Sequence, residues 1–159
     1  IGDIFLQTNN KGEKSMAFAR IIRQNFHNHP EVASNYTIEE KYLLIGLACA
    51  ADDFGKLWDD EANIKSVIFP TDDVPLKWVR ETINKFITHK ILCPYTIDNI
   101  NYIHFPLWFE EGWFLKQRID HPREYQQPDC PECNTEAEKW NELHTSRLTK
   151  VNRRYEESM

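Results

Sequence analysis

The chain has 159 residues with a formal net charge of −6, and 13% of its residues are aromatic. This length and aromatic content allow one domain with a real hydrophobic core plus an appendage. The acidic balance argues against a strongly basic nucleic-acid binder of the histone kind, although it leaves room for a local basic strip. The sequence has no apolar run of about 18 residues, so no membrane-spanning helix is expected. Its first residues, Ile1–Leu6, lack the basic and apolar regions of a signal peptide. The use of its four cysteines fits a reducing cytosol better than a disulfide scaffold.

Two segments are predicted before the first long helix. Residues 1–15 are polar and differ in composition from the rest of the chain, whereas Met16 resembles a natural start. Our hypothesis is that residues 1–15 are a weakly ordered extension introduced in cloning. Residues 16–36 predict a basic N-terminal arm, because Arg20, Arg23 and two histidines accompany a single acid. The arm either contacts nucleic-acid phosphates or straps the domain together.

Residues 37–108 predict a small domain of three helices and a β-hairpin. Thr37 and Glu40 form a capping box, which opens the first helix. Pro70 ends the second helix, because proline cannot continue helical hydrogen bonding. The expected elements are a first helix from Thr37 through Ala51, a short strand at 56–58, a second helix at 59–69, a third helix at 72–90, and strands at 91–97 and 100–105.

The third helix, within residues 72–90, is expected to organise the domain. Its apolar residues recur at helical spacing and predict one buried stripe, namely Leu76, Val79, Ile83, Phe86 and Ile87. The opposite face and its flanks carry candidate DNA contacts, namely Lys77, Arg80, Asn84 and Lys85. Such a face suits a DNA major groove, but it also describes an ordinary solvent-exposed helix. Arg20 and Arg23 of the arm are the further DNA-binding candidates.

The two runs after the third helix predict a hairpin with a two-residue turn at Asp98-Asn99. Pro94 cannot donate a ladder hydrogen bond, so its strand is expected at an edge or a bulge. The turn carries an acid and no lysine or arginine, which disfavours phosphate contact by the hairpin itself. Three helices followed by such a hairpin indicate an α+β winged helix-turn-helix, flanked here by the N-terminal arm and a C-terminal helix.

Residues 109–134 predict an aromatic and proline-rich extension that contains one metal-like motif, Cys130-Pro-Glu-Cys133. Two thiolates at this spacing can occupy one side of a tetrahedral zinc site. His121 and His144 flank the motif and are the candidates for the other ligands, with thiolates of a symmetric partner as another source. A free exposed dithiol is the competing interpretation, since a lone CxxC is weak support for zinc. The aromatic residues within 107–115 must be covered by the core, the arm or a partner subunit.

The remaining reactive side chains have structural interpretations. Cys49 and Cys93 lie in apolar runs and are expected to be small core residues. His104 lies in a predicted strand without a nucleophile nearby, so we expect a structural histidine. The paired carboxylates Asp52-Asp53 and Asp59-Asp60 are better explained by turns and helix ends than by a magnesium site.

Residues 135–159 predict a C-terminal amphipathic helix, which opens with a second capping box formed by Thr135 and Glu138. Its thin apolar stripe leads into a basic second half. Such a helix can pair with another subunit, contact nucleic acid or pack on its own domain. The sequence leaves these three alternatives open.

A series of short motifs runs in order between residues 16 and 125, namely Arg20–Arg23, Asn25–His27, Glu40–Leu47, Ala51–Lys56, Ile64–Pro70, Asp72-Asp73, Tyr95, Tyr102–Trp108 and Gln117–Pro122. Together they resemble the N-terminal winged-helix domain of phage and prophage replisome organisers, the DnaD-like replication initiation proteins of Gram-positive bacteria. The resemblance implies a non-enzymatic DNA-binding protein that marks or remodels an origin and recruits a helicase loader or helicase. It also implies self-association through this domain and its arm. Cys130, Cys133 and the helix after them lie outside the resemblance.

The leading hypothesis is therefore a DNA-binding protein of phage-type replication initiation, acting in the cytoplasm of a bacterial host cell as a homo-oligomer. No cofactor is expected apart from the zinc considered above. The alternative is a winged-helix module that oligomerises or docks a helicase loader, which the acidic balance and the cation-free hairpin favour. A metal-dependent enzyme is the least favoured interpretation, because the sequence lacks P-loop, GxSxG and HExxH motifs.

Overall fold

The computed structural model describes residues 20–110, 112–116, 127–133 and 136–159. The predictions for residues 1–15, for the start of the arm and for His121 lie outside these described residues. Within the described part of the chain, no helix is both long enough and apolar enough to cross a membrane.

The described residues form a mixed α+β structure with five α-helices and a small three-stranded antiparallel sheet. A second, two-stranded sheet joins the arm to a later segment. The elements in chain order are β1 (Ile21–Ile22), a 3₁₀ helix (Gln24–His27), α1 (Pro30–Ala33), α2 (Ile38–Ala50), β2 (Lys56–Trp58), α3 (Glu61–Ile68), α4 (Leu76–Thr88), β3 (Cys93–Ile97), β4 (Ile100–His104), β5 (Leu115–Lys116) and α5 (Glu136–Ser158).

The three-stranded sheet has the order β2-β4-β3, which places β3 at an edge. Pro94 lies in β3, as predicted for a residue that cannot donate a ladder hydrogen bond. The hairpin turns at Asp98 and Asn99, whose φ angles of 51° and 64° are both left-handed. Two such residues give the backbone twist that a two-residue hairpin requires. The turn pairs Ile97 with Ile100 and thereby fixes the register of the whole hairpin.

The predicted helix starts are confirmed at α2 and lie later than expected at α4. In α2 both halves of the capping box are present, with Glu40 N donating to Thr37 Oγ1 at 3.2 Å and Thr37 N donating to Glu40 Oε1 at 3.0 Å. Asp60 accepts from the first backbone amides of α3, which accounts for an acid at that position. The third predicted helix, α4, begins only at Leu76, after Pro75.

The buried stripe of α4 is confirmed at its centre and is wrong at its start. Val79, Ile83 and Phe86 are fully buried, and Ile87 is half-buried against the same core. Leu76, by contrast, is 45% exposed. It is the first residue of the helix, and helical side chains lean towards the N-terminus, so no preceding turn of the helix lies beneath it.

The aromatic residues within 107–115 are covered by the domain and the arm. Trp108, Phe109, Trp113 and Phe114 are buried in the main core. The arm contributes Phe26, whose ring meets that of Phe114 edge-on at 5.0 Å, and β1 pairs with β5. Gly55, at φ +80°, allows close approach here, because a Cβ atom would lie 2.6 Å from the Trp108 ring.

Among the residues that the structure describes, the C-terminal helix α5 packs on the domain at its start alone. Trp140 lies against the main core, and Lys139 Nζ donates to the carbonyl oxygen of Pro106 at 3.4 Å. Every residue from 145 to 159 is exposed, including the apolar Leu148, Val151 and Tyr155. The second half of this helix therefore presents its apolar stripe to solvent.

Candidate metal centre

The base of the β3–β4 hairpin places Cys93 and His104 side by side. The register pairs these two residues directly across the antiparallel strands. Opposite residues of an antiparallel pair carry their side chains on the same face of the sheet, with Cβ atoms roughly 4.5–5.5 Å apart. Two potential metal ligands are therefore presented together by local backbone geometry alone.

Cys130 and Cys133 complete a group of four ligand residues with that pair. The Cys93 Sγ atom lies 4.0 Å from Cys130 Sγ and 3.9 Å from Cys133 Sγ. The ligand atoms of all four residues lie within 4.8 Å of one another. Sulfur atoms at the corners of a zinc tetrahedron are about 3.8 Å apart, given a Zn–S bond of about 2.3 Å. The cluster of Cys93, His104, Cys130 and Cys133 can therefore hold a metal ion with little rearrangement.

The environment of the cluster favours a cation over free thiolates. Cys130 and His104 are buried, whereas Cys93 and Cys133 are half-buried. Burial, followed by the neighbouring Cys130 and Cys133, raises the pKa of Cys93 to about 12. Thiolates packed this closely repel one another, and a divalent cation between them converts the repulsion into attraction.

The aromatic surroundings shield one side of the cluster. The Tyr95 ring meets the His104 ring edge-on at 5.5 Å and stacks on Tyr102 at 5.3 Å. Tyr95, Tyr102 and Cys130 form a second buried cluster, separate from the main core. This packing limits the orientations of the His104 imidazole.

The structure places two of the four predicted ligand residues in this cluster. Cys130 and Cys133 do lie in a site that can hold a metal ion. His144 is not in that group, since its ring stacks on Trp140 within α5 at 4.4 Å, and His121 lies outside the described residues. The other two residues of the cluster, Cys93 and His104, were predicted from the sequence to have purely structural roles.

The pairing of Cys93 with His104 has a signal in the sequence. Once Asp98-Asn99 is recognised as a two-residue turn, counting outwards pairs Ile97 with Ile100 and, four steps further, Cys93 with His104. The Cys130-Pro-Glu-Cys133 motif further along the chain then offers two more potential ligands, which makes four in total. The expectation that Cys49 is a core residue is wrong, because its thiol lies on an exposed face of α2.

Three of the candidate DNA-contacting cations already form hydrogen bonds or ion pairs within the fold. Arg20 Nη2 donates to the carbonyl oxygens of Ala51 and Asp52 at 2.6 and 2.7 Å, at the C-terminal end of α2. Arg80 pairs with two acids near the start of α3, at 2.8 and 2.6 Å. Lys85 pairs with the carboxylate of Glu40 at 3.1 Å. Arg20 thus straps the arm to the domain, which was one of the two predicted roles of the arm.

The other candidates remain at the surface. Arg23, Lys77 and Asn84 are exposed. Lys77 lies 3.8 Å from Glu81, one helical turn along α4, and this exposed pair is weak. The outward face of α4 therefore combines one loosely paired cation, one acid and one amide.

Comparison of the chain with protein-family models, with curated proteins and with solved structures found no match.

Proposed function

We propose that the cluster of Cys93, His104, Cys130 and Cys133 binds Zn²⁺ as a structural site. Three thiolates and one imidazole form a common donor set for structural zinc, and four protein ligands leave no position open for a substrate. The ion would join the β-hairpin to the segment around Cys130, which is distant in sequence. Such a site contributes binding free energy directly to folding.

We also propose that residues 37–108 form a winged helix-turn-helix. The order of elements supports this, because α2, α3 and α4 are followed by the β3–β4 hairpin and β2 adds to the far side of β4. The exposed side of α4 is the face that such a fold presents to a DNA groove. The resemblance to replisome organisers agrees with the same assignment.

On this basis we propose a non-enzymatic DNA-binding protein that acts in phage-type replication initiation. The observation that carries the proposal is the outward face of α4, where Lys77 and Asn84 are exposed. The contact is expected to be modest and electrostatic, because Arg80 and Lys85 are held by acids of the same chain.

Two substitutions on this face test the proposal, because they should change the DNA affinity in opposite directions. Lys77→Ala should weaken binding to a random duplex and lower the slope of log K against log salt by about 1. Glu81→Gln should strengthen binding, because it removes the acid beside Lys77. Fluorescence anisotropy across a salt series measures both. If neither change alters the affinity at low salt, α4 is not the DNA contact.

A second candidate function is a docking module for a helicase loader or for another copy of the chain. An apolar groove of ≈ 330 Å³ between α2 and α3 favours it, lined by Tyr42, Ile45, Cys49, Val67 and their neighbours. Ile38 and Tyr42 on the same helix are 83% and 55% exposed. Sedimentation with and without DNA separates the two candidates, since association without DNA affinity selects the docking module.

A further inference from the structure

Buried side chains outside the ligand set fasten the segment that leads into the metal centre. Gln127 N donates to Asp52 Oδ2 at 2.6 Å, and Tyr95 Oη donates to the carbonyl oxygen of Pro128 at 2.7 Å. Lys56 Nζ donates to the carbonyl oxygen of Gln127 at 3.2 Å and also pairs with Asp129. Each of residues 127–129 is thus held immediately before Cys130.

Lys56 is the unusual member of this group. Its side chain is fully buried, and buried lysines are rare unless paired, because desolvation of the ammonium group is costly. It lies in β2 directly opposite His104 of β4, so the strand that carries one proposed ligand also aligns Lys56. The ammonium group then reaches residues 127 and 129, on the other side of the site.

Tyr95 links the same two parts of the chain from β3. Its ring packs edge-on against His104, while its hydroxyl group holds Pro128. Lys56 and Tyr95 therefore each lie beside the hairpin ligands and bind the segment that delivers the CxxC ligands. No atom of either side chain belongs to the four-residue ligand group.

We propose that Lys56 and Tyr95 are positioning residues of the metal centre, which hold Cys130 and Cys133 opposite Cys93 and His104 before the ion binds. This inference rests on the proposed zinc site. A site assembled in advance does not have to order its ligand segment when the metal binds, so its affinity is higher. Groups that orient metal ligands in this way typically contribute 10- to 100-fold to metal affinity.

The main test compares metal affinity in the wild-type chain, Tyr95→Phe and Lys56→Met. Zn²⁺ affinity is measured by competition with a chromophoric chelator, and Co²⁺ is used as a spectroscopic probe of the coordination sphere. Lys56→Met should raise the Zn²⁺ dissociation constant by roughly 10- to 100-fold, and Tyr95→Phe by a smaller factor. The tetrahedral Co²⁺ absorption should persist at saturation in both variants, because no ligand is lost. Lys150→Met, at an exposed lysine of α5, is the matched control and should leave the affinity unchanged.

A second measurement separates positioning from general stabilisation of the fold. Amide hydrogen exchange is followed at Gln127 and at Val79 in protein treated with EDTA. Positioning predicts slow exchange at Gln127 in the metal-free wild type, and faster exchange at Gln127 but not at Val79 in Tyr95→Phe. This variant loses only one hydroxyl group, so it remains informative if Lys56→Met fails to fold.

The outcomes distinguish the two proposals. A wild-type chain that binds neither Zn²⁺ nor Co²⁺ overturns the metal site and this inference with it. A wild-type chain that binds Zn²⁺ only as tightly as both variants leaves the metal site standing and overturns the positioning role. Equal acceleration of exchange at Gln127 and Val79 also overturns it, since Tyr95 would then serve only global stability.

Discussion

At the scale of single residues, Asp52 shows how a buried charge is used in this fold. Its Oδ1 atom accepts from the amides of Phe54 and Lys56, at 2.8 and 3.0 Å, and its Oδ2 atom accepts from Gln127. Burial raises the pKa of Asp52 to about 6, against the opposing effect of these hydrogen bonds. Desolvation of the carboxylate thus outweighs three favourable contacts.

This shift predicts a pH dependence with a definite sign. Between about pH 4 and pH 6 the folded state holds a proton on Asp52 that the unfolded state has already released. The contribution of Asp52 to the free energy of unfolding is therefore fully present below the unfolded pKa and is lost as the pH rises through 6. Carboxyl ¹³C NMR of Asp52 should give a midpoint near 6. A midpoint at or below the ordinary aspartate value of 3.8 would contradict the prediction.

At the scale of elements, the turn between α2 and β2 is fixed by its contact with the aromatic segment that comes after the hairpin. Gly55 has a left-handed backbone, and the face of Trp108 lies where a side chain would begin. The indole nitrogen of Trp108 also donates to the carbonyl oxygen of Asp53 at 3.1 Å. The turn and the indole ring are therefore packed as one unit.

Two glycines at similar backbone angles make a matched pair for this contact. Gly55→Ala should lower the free energy of unfolding by about 2–4 kcal/mol, because it combines a left-handed alanine with a clash against Trp108. Gly112→Ala, at φ +87° with no atom within 4 Å of the added carbon, should cost only about 1 kcal/mol. Urea denaturation measures both values. Equal losses in the two variants would show that the contact with Trp108 is not important for stability.

The elements also show how far sequence reasoning reaches. Local signals predicted the starts of α2 and α3, the turn at Asp98-Asn99 and the edge position of Pro94, because each depends on neighbours in the chain. The sequence could not predict that Arg20 binds backbone carbonyls or that Arg80 and Lys85 pair with acids. Charge patterns do not reveal which tertiary partner faces a cation. The candidate metal centre is predictable in part. The Cys93–His104 pair follows from the local hairpin turn, whereas the approach of Cys130 to that pair depends on the tertiary fold.

At the scale of the whole molecule, the proposed zinc ion would link parts of the chain that lie far apart in the sequence. The hairpin would supply Cys93 and His104 as ligands, and the segment before α5 would supply Cys130 and Cys133. The buried cluster around Tyr95 and Tyr102 is small and lies apart from the main core. This region has little apolar burial of its own, so its stability should depend on the metal.

Metal removal should therefore have a regional effect. EDTA should lower the thermal midpoint of the wild-type chain, and ¹H–¹⁵N spectra should change around β3, β4 and residues 127–133 while the core of α4 is retained. Cys130→Ser should show the same lower midpoint without EDTA and should not respond to it. An EDTA-insensitive midpoint in the wild-type chain would contradict a structural metal ion.

The exposed half of α5 has a consequence for motion. From residue 145 to its end at Ser158 the helix extends roughly 21 Å at 1.5 Å per residue, with every side chain in solvent. A helical segment of this length is only marginally stable in water when it lacks tertiary packing. In the isolated monomer these turns should therefore fray and re-form on a sub-microsecond timescale, while Trp140 remains the fixed point from which they extend.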